Sequence, residues 1–181
     1  MYGLINKALK TMISDGHGQE IWDSILTKSA VPEDSFTTME QYNDDTTYAL
    51  VGATSEILKM PAAACLELFG HYWATVTAPS AYEMLFQSTG DNLFEFLDNV
   101  NSLHDRITST FIDYIPPHFI TTTDKNNMEL VYQSKREGLT PFLIGIIKGL
   151  ADRFEVQVEF ESVVARAVDK GETSVITMRI V

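Results

Sequence analysis

The prevailing hydrophobic period of this chain changes at the Pro116-Pro117 pair, from helical spacing to strand alternation with one helix inserted, and that change limits the folds open to it. Before the diproline, apolar residues recur every three or four positions, as in Ile5, Leu9, Met12 and Ile13 and again in Ile21, Trp22, Ile25 and Leu26. This is the spacing of helices with one buried face. Asp44 or Asp45 is placed to cap a helix that runs through Val51 to about Leu58. Pro61 suits the first position of another, from Ala62 to Trp73. Pro79 is expected to break the chain. Gly90 precedes a long periodic segment, Asp91 to about Asp113, which the diproline stops. After it the period falls to two. Phe119–Thr123, a turn at Asp124–Asn127 and Met128–Ser134 read as a hairpin. A helix from Pro141 to Arg153, with Phe142, Ile146 and Leu150 on one face, comes next. A strand carrying Val156, Val158 and Phe160 follows, then a turn at Lys170–Glu172 and a strand carrying Ser174, Ile176, Met178 and Ile180. The expectation is an α+β fold, with a helical N-terminal part and a C-terminal part built on about four antiparallel strands. At 181 residues the chain makes about one domain, large enough to bury a core and a ligand within it.

Charge narrows the function. Lys plus Arg number 13 and Asp plus Glu number 25, for a net charge of −12. Phosphate backbones and anionic lipid repel such a chain, so no nucleic-acid or membrane partner is expected. No run approaches the ~20 apolar residues of a membrane span. The N-terminus, MYGLINKALKTMI, spreads its lysines through an amphipathic pattern instead of the apolar stretch of a signal peptide. A cytoplasmic protein is expected. Cys65 is the single cysteine, so a disulfide framework and a CxxC zinc site are both excluded. Its neighbours Ala64, Leu66 and Leu68 mark it as a small buried hydrophobe. The histidines are His17, His71, His104 and His118, which leaves the last third of the chain without Cys or His to offer a metal.

Two patterns carry chemistry. Leu93, Leu97, Val100, His104, Ile107 and Phe111 are spaced 4, 3, 4, 3, 4, and five of the six are apolar. His104 therefore points where a hydrophobe belongs, and there it must be hydrogen-bonded or bound to something. It is either a satisfied core histidine or a lone axial ligand. One histidine without Cys or carboxylate company does not make a zinc site. It can make a haem site, because the porphyrin supplies four further nitrogens. The second pattern is Tyr132-x-Ser134-x-Arg136. On a strand, residues two apart share a face, so two hydroxyls and a guanidinium would line up over about 13 Å. Such a comb either grips carboxylates, as haem propionates require, or is an exposed polar strand face.

With these residues in place the chain resembles the haem–nitric oxide/oxygen binding (H-NOX) family, the sensor domain shared by bacterial stand-alone proteins and soluble guanylate cyclase. The resemblance runs through MYGLINKAL, LVGATSEILKMP (50–61), LELFGHYW (66–73), EFLDNVNSLH (95–104), Pro116-Pro117, YQSKREGLTPF (132–142) and GIIKGLA (145–151), in the family's order. It implies a helical distal subdomain over about residues 1–60 and a proximal subdomain over about 61–181, with haem b between them in one domain of 1–181. It implies that His104 is the proximal iron ligand and that Tyr132, Ser134 and Arg136 hold the propionates. Pro116 or Pro117 would press on the porphyrin, and Ile5 and Leu9 would be apolar distal pocket residues.

The family's oxygen binders place a tyrosine in the helix after the Y-x-S-x-R motif. Here that position falls at or next to Pro141, which has no donor, and no tyrosine follows Tyr132. The resemblance then implies a donor-poor pocket that takes nitric oxide and carbon monoxide at ferrous iron without holding oxygen. His71 and Trp73 could in principle lean over that pocket, but they read as a partly exposed histidine and a helix-packing tryptophan. The implied output is control of a partner, a histidine kinase or a cyclic-di-GMP enzyme, through cleavage of the iron–histidine bond by a domain that is not itself an enzyme. The alternatives are a haem enzyme of peroxidase or dioxygenase type, for which only His71 could act as distal acid–base group, and a haem-free small-ligand adaptor of the same fold.

Overall fold

The computed structural model describes residues 1–32, 36–109 and 114–181. Two helices open the chain, α1 (Gly3–His17) and α2 (Gln19–Ser29), split at Gly18, whose φ of 88° suits glycine. α3 (Asp44–Leu58) is capped by Asn43, whose side chain accepts from the Asp45 N–H at 3.0 Å. Neither aspartate is the cap; both lie in the first turn, where the helix dipole favours a negative charge. The faces of α1, α2 and α3 enclose a first core of Leu9, Ile13, Trp22, Ile25, Leu50 and their neighbours, to which α4 (Ala62–Tyr72) contributes Phe69.

Pro79 does not break the chain. A wide turn at Trp73–Thr77 leads from α4 into α5 (Ala78–Gln87), with Pro79 in the first turn of α5, and α5 is kinked at Tyr82, whose φ of −140° and ψ of 38° are not helical. The long helix expected over Asp91–Asp113 is also corrected. Among the described residues it is two helices, α6 (Leu93–Asp98) and α7 (Val100–Thr108), meeting at Asn99. The Asn99 amide donates to the Thr89 carbonyl at 2.9 Å, a tertiary bond that holds the bend. Phe111 and Asp113 lie outside the described residues.

The second half forms β1 (His118–Asp124), β2 (Asn127–Ser134), α8 (Thr140–Arg153), β3 (Val158–Val168) and β4 (Gly171–Ile180). The strands make one antiparallel sheet in the order β1-β2-β4-β3. This is the α+β class that the change of period implies. Alternation along β2 and β4 buries Met128, Leu130 and Tyr132 beside Ser174, Ile176 and Met178. These residues join α6, α7 and α8 in a second core. β3 begins at Val158, two residues after Val156, and slips register between Phe160 and Ser162.

α8 runs between the two cores. Leu143, Ile147 and Leu150 face the second core, and Phe142 meets Phe69 of the first at 5.1 Å between ring centroids. Trp73 touches both cores. α4 and α8 cross so closely that a Cβ on Gly70 would run into the Phe142 carbonyl and one on Gly145 into the Glu67 carbonyl. A Lys148–Glu67 ion pair and a His71–Asp152 hydrogen bond, both at 2.6 Å, flank that crossing. No single described helix is long and apolar enough to cross a membrane.

Candidate functional site

α7 carries His104 beneath the sheet edge. Asn101, one turn earlier, clips α7 to β1: its amide donates to the Phe119 carbonyl at 2.7 Å and its oxygen accepts from the Phe119 N–H at 3.0 Å. The double bond fixes the direction in which the next turn aims. The His104 ring lies 5.8 Å from the Phe119 ring and 6.1 Å, edge-on, from Tyr114. The residue is half-buried, but Nδ1 is sealed from solvent and has no hydrogen-bond partner. Burial pulls the imidazole pKa down to about 4, against the charge of Asp105 and the carbonyl of Pro117. At neutral pH His104 is therefore uncharged, the form in which imidazole ligates a metal.

Tyr132 and Ser134 end β2, and both are where the alternation puts them. Tyr132 is buried against Phe119, with ring centroids 5.4 Å apart. Burial raises its phenol pKa, and a hydrogen bond with Ser134 acts the other way. Arg136 is not on the strand. The chain bends after Ser134, and the Ser134 hydroxyl accepts the Arg136 N–H at 3.0 Å. A straight three-residue comb is thus replaced by a side-chain-capped turn, the local bond that serine makes readily at strand ends. The turn brings the guanidinium across to α3, where Nε donates to Asp44 Oδ2 at 2.8 Å, while Nη1 reaches the Ile115 carbonyl at 3.3 Å. Asp44 also accepts from the amine of Met1 at 2.5 Å. Desolvation pushes the Asp44 carboxyl up, but these two cations outweigh it and hold the pKa below its usual value.

The remaining sequence candidates surround these groups. Pro116 and Pro117 are half-buried just before β1, and the Pro117 carbonyl faces His104. Ile5 and Leu9 lie one turn apart on α1, Leu9 only 2% exposed. Pro141 occupies the first turn of α8, which starts one residue earlier than its sequence pattern suggested. His71 and Trp73 hold the expected roles, the histidine 41% exposed in its pair with Asp152 and the tryptophan packed between cores.

Sequence reasoning missed four contributors. Tyr114 packs on His104 and feels Arg136, Tyr132 and Tyr82 electrostatically, and burial drives its phenol up to about 12. Asp44 had been read only as a helix cap. Asn101 carries no local sequence signal of its double bond to β1. Asn6, fully buried between Ile5 and Leu9, accepts from the Thr47 hydroxyl at 2.6 Å and leaves its amide nitrogen unpartnered. Only the Asn6 signal was visible, as a polar residue one position off an apolar stripe.

These residues fit a haem. Among the described residues no three His, Cys, Asp or Glu gather to hold a metal ion by themselves, so a metal at His104 must bring other ligands with it. The neutral imidazole with its one unpartnered ring nitrogen suits iron, and the Tyr132–Ser134–Arg136 turn offers donors to carboxylates.

A family model described as Haem-NO-binding matches residues 2–162. The chain is 28% identical over 162 residues to soluble guanylate cyclase gcy-32 of Caenorhabditis elegans, and 25% identical over 159 residues to soluble guanylate cyclase 89Da of Drosophila melanogaster. These alignments cover 84% and 85% of this chain but 23% of each cyclase, so the chain spans about a quarter of their length. Its fold superimposes on an H-NOX protein from S. oneidensis in the Fe(II)NO ligation state, with a TM-score of 0.85, 18% identity and coverage of 100% of this chain and 99% of that one. It also superimposes on an oxygen-binding H-NOX domain related to soluble guanylate cyclases, in its oxygen complex, with a TM-score of 0.83, 21% identity and coverage of 99% and 95%. The chain belongs to the Haem-NO-binding family. It is a haem-binding gas-sensor domain of the type found in soluble guanylate cyclases.

Proposed function

We propose that this domain senses nitric oxide at a ferrous haem b held by His104 and reports to a signalling enzyme. The observation that carries the assignment is the His104 imidazole, kept neutral by burial and with one ring nitrogen unpartnered. When bound, the haem supplies an iron centre that takes up a diatomic gas. The chain's own groups do the rest. His104 provides the protein ligand, and Asn101 and β1 fix its direction. Arg136, with the Tyr132 and Ser134 hydroxyls, holds the propionate edge. Pro116 or Pro117 would contact the haem. Ile5 and Leu9 of α1, with Pro141 of α8, present apolar surface on the opposite side.

Selectivity follows from what that surface lacks. Holding oxygen would require a hydrogen-bond donor from the chain, whereas holding nitric oxide or carbon monoxide would not. Pro141 offers no donor. Asn6 does carry an unpartnered amide, but its side chain is tied to Thr47 and sealed from solvent.

Signalling rests on His104 as a tether. His104 would hold the haem, whose iron would supply the gas-binding chemistry, and the strength of that hold would differ between nitric oxide and carbon monoxide. Through His104, α7 would couple the haem to the sheet side and to α1–α3. The output is a histidine kinase, a cyclic-di-GMP enzyme or a cyclase segment of a longer chain, in a cytoplasmic setting.

Absorption spectra test the reading. The protein should hold haem, bind both gases in the ferrous state, and form no stable oxygen complex in air. His104→Gly should abolish haem retention unless imidazole is added. Unchanged haem absorbance in that variant without imidazole would remove His104 from the ligand role, and an oxygen complex of the unaltered protein would overturn the selectivity.

A further inference from the structure

Among the described residues Glu172 is the one buried acid, at 8% exposed, and none of the roles above uses it. It opens β4 opposite Ser134 of β2. Its carboxylate is satisfied by N–H and O–H donors: Oε2 accepts from the Gly138 N–H at 2.9 Å, and Oε1 accepts from the Thr140 N–H at 3.1 Å, the Thr140 hydroxyl and the Ser174 hydroxyl. Gly138 and Thr140 are the exit of the bend that carries Arg136 and the first residue of α8. Leu139, at the cap position of α8, has no side chain able to cap, so Glu172 caps the helix from another strand.

The rest of the bend is pinned at its entry and middle. Ser134 accepts from the Arg136 N–H, and the Tyr48 hydroxyl donates to the Glu137 carbonyl at 2.8 Å. Gly171, with φ of 118°, lets β4 approach so closely that a Cβ there would meet the Ser134 carbonyl. The bend's exit is held by Glu172 and by the contact between the Thr140 and Ser174 hydroxyls at 2.5 Å.

We infer that Glu172 is a positioning residue for carboxylate recognition by Arg136, holding the Arg136 bend and the start of α8 to the sheet as one unit. This rests on the haem reading, in which that carboxylate is a propionate. Its effect must therefore run through the propionates and through Arg136.

The test compares haem with its dimethyl ester, which lacks free carboxylates, in the full chain carrying Glu172→Ala, Glu172→Gln, Arg136→Ala and the Glu172→Ala/Arg136→Ala pair. Loss to excess acceptor protein is followed by absorbance. Glu172→Ala should speed haem loss at least about tenfold, the scale of one hydrogen-bond set to a charged group. It should leave loss of the ester unchanged and add nothing in the Arg136→Ala background. Glu172→Gln keeps one acceptor and should fall between; it also serves if the alanine variant does not fold. Equal acceleration for haem and ester, or effects of Glu172 and Arg136 that simply multiply, would overturn the assignment and make Glu172 a general stabiliser. Haem-loss rates in Glu172→Ala and Glu172→Gln equal to the unaltered protein would overturn it too, with the haem reading intact. An unaltered protein that retains no haem would bring down the functional reading itself.

Discussion

The two cores are joined at two seams of opposite character. At the α4–α8 crossing, backbone lies directly on backbone because Gly70 and Gly145 have no Cβ to hold the helices apart. At the other seam, between α3 and the bend after β2, the join is polar: Arg136 to Asp44, and the Tyr48 hydroxyl to the Glu137 carbonyl. Dispersion contact at the first falls away steeply with separation and resists sliding. The second seam is partly open to water, which substitutes for such bonds at little cost. The glycine crossing is the stiff join. The polar seam is the one at which a bound carboxylate can compete for Arg136, and His104 and the diproline lie on the same side of the molecule as that seam.

The contrast breaks most visibly at the crossing. Gly145→Ala puts a methyl group into the Glu67 carbonyl, with backbone on both sides and nothing flexible to yield. Overpacking of this kind should destabilise the protein by about 3 kcal/mol, read as a lowered denaturant midpoint. A midpoint equal to that of the unaltered protein would show slack in the crossing and erase the distinction between the seams. Next in size is Arg136→Ala, which removes the cation that bridges the polar seam. It should weaken haem retention by about 1.5–3 kcal/mol for the charged contact, with a smaller change in the midpoint of the haem-free protein. The reverse order, a large loss of fold stability with normal haem loss rates, would make Arg136 a structural ion pair and contradict its propionate role.

The stiff seam and the sheet were legible in the chain because they repeat. Periods of 3.6 and 2 located α1–α4, α8 and the β1–β2 hairpin, and the same stripe exposed His104 as a misfit among Leu97, Val100 and Ile107. What escaped was decided by single long-range bonds. Asn99 looks like any polar helix residue until its amide meets the Thr89 carbonyl ten positions back. Pro79 ends some helices and starts others, and only the wide turn before it selects the second role. Arg136 was placed on a strand because nothing local announces that Ser134 spends its hydroxyl on the Arg136 N–H. Asp44 and Glu172 were overlooked because acids are ordinarily solvated, and their partners come from elements 92 and 32 to 34 residues away. The polar seam is tertiary throughout, so no window of sequence contains it.

The smallest predicted effect isolates the ionic part of that seam. Asp44→Asn keeps the shape of the side chain and removes its charge, and should cost on the order of 1 kcal/mol at neutral pH, because both ion pairs are partly exposed. Its pH dependence has a definite sign. The folded-state pKa of Asp44 lies below its usual value of 3.8, since the Met1 amine and Arg136 outweigh its desolvation. The unfolded chain therefore takes up the proton first as the pH falls. The contribution is fully present well above 3.8 and is lost as the pH drops through the folded value. Urea unfolding of the unaltered protein and Asp44→Asn should show a gap at pH 7 that narrows as the pH falls below the usual carboxylate value of 3.8. For Gly145→Ala the gap should stay constant over the same range, because no charge changes at a packed backbone contact. An Asp44→Asn gap that persists undiminished at the acid end would mean that Asp44 holds Arg136 by shape and neutral hydrogen bonding, and the two seams would then differ in packing alone.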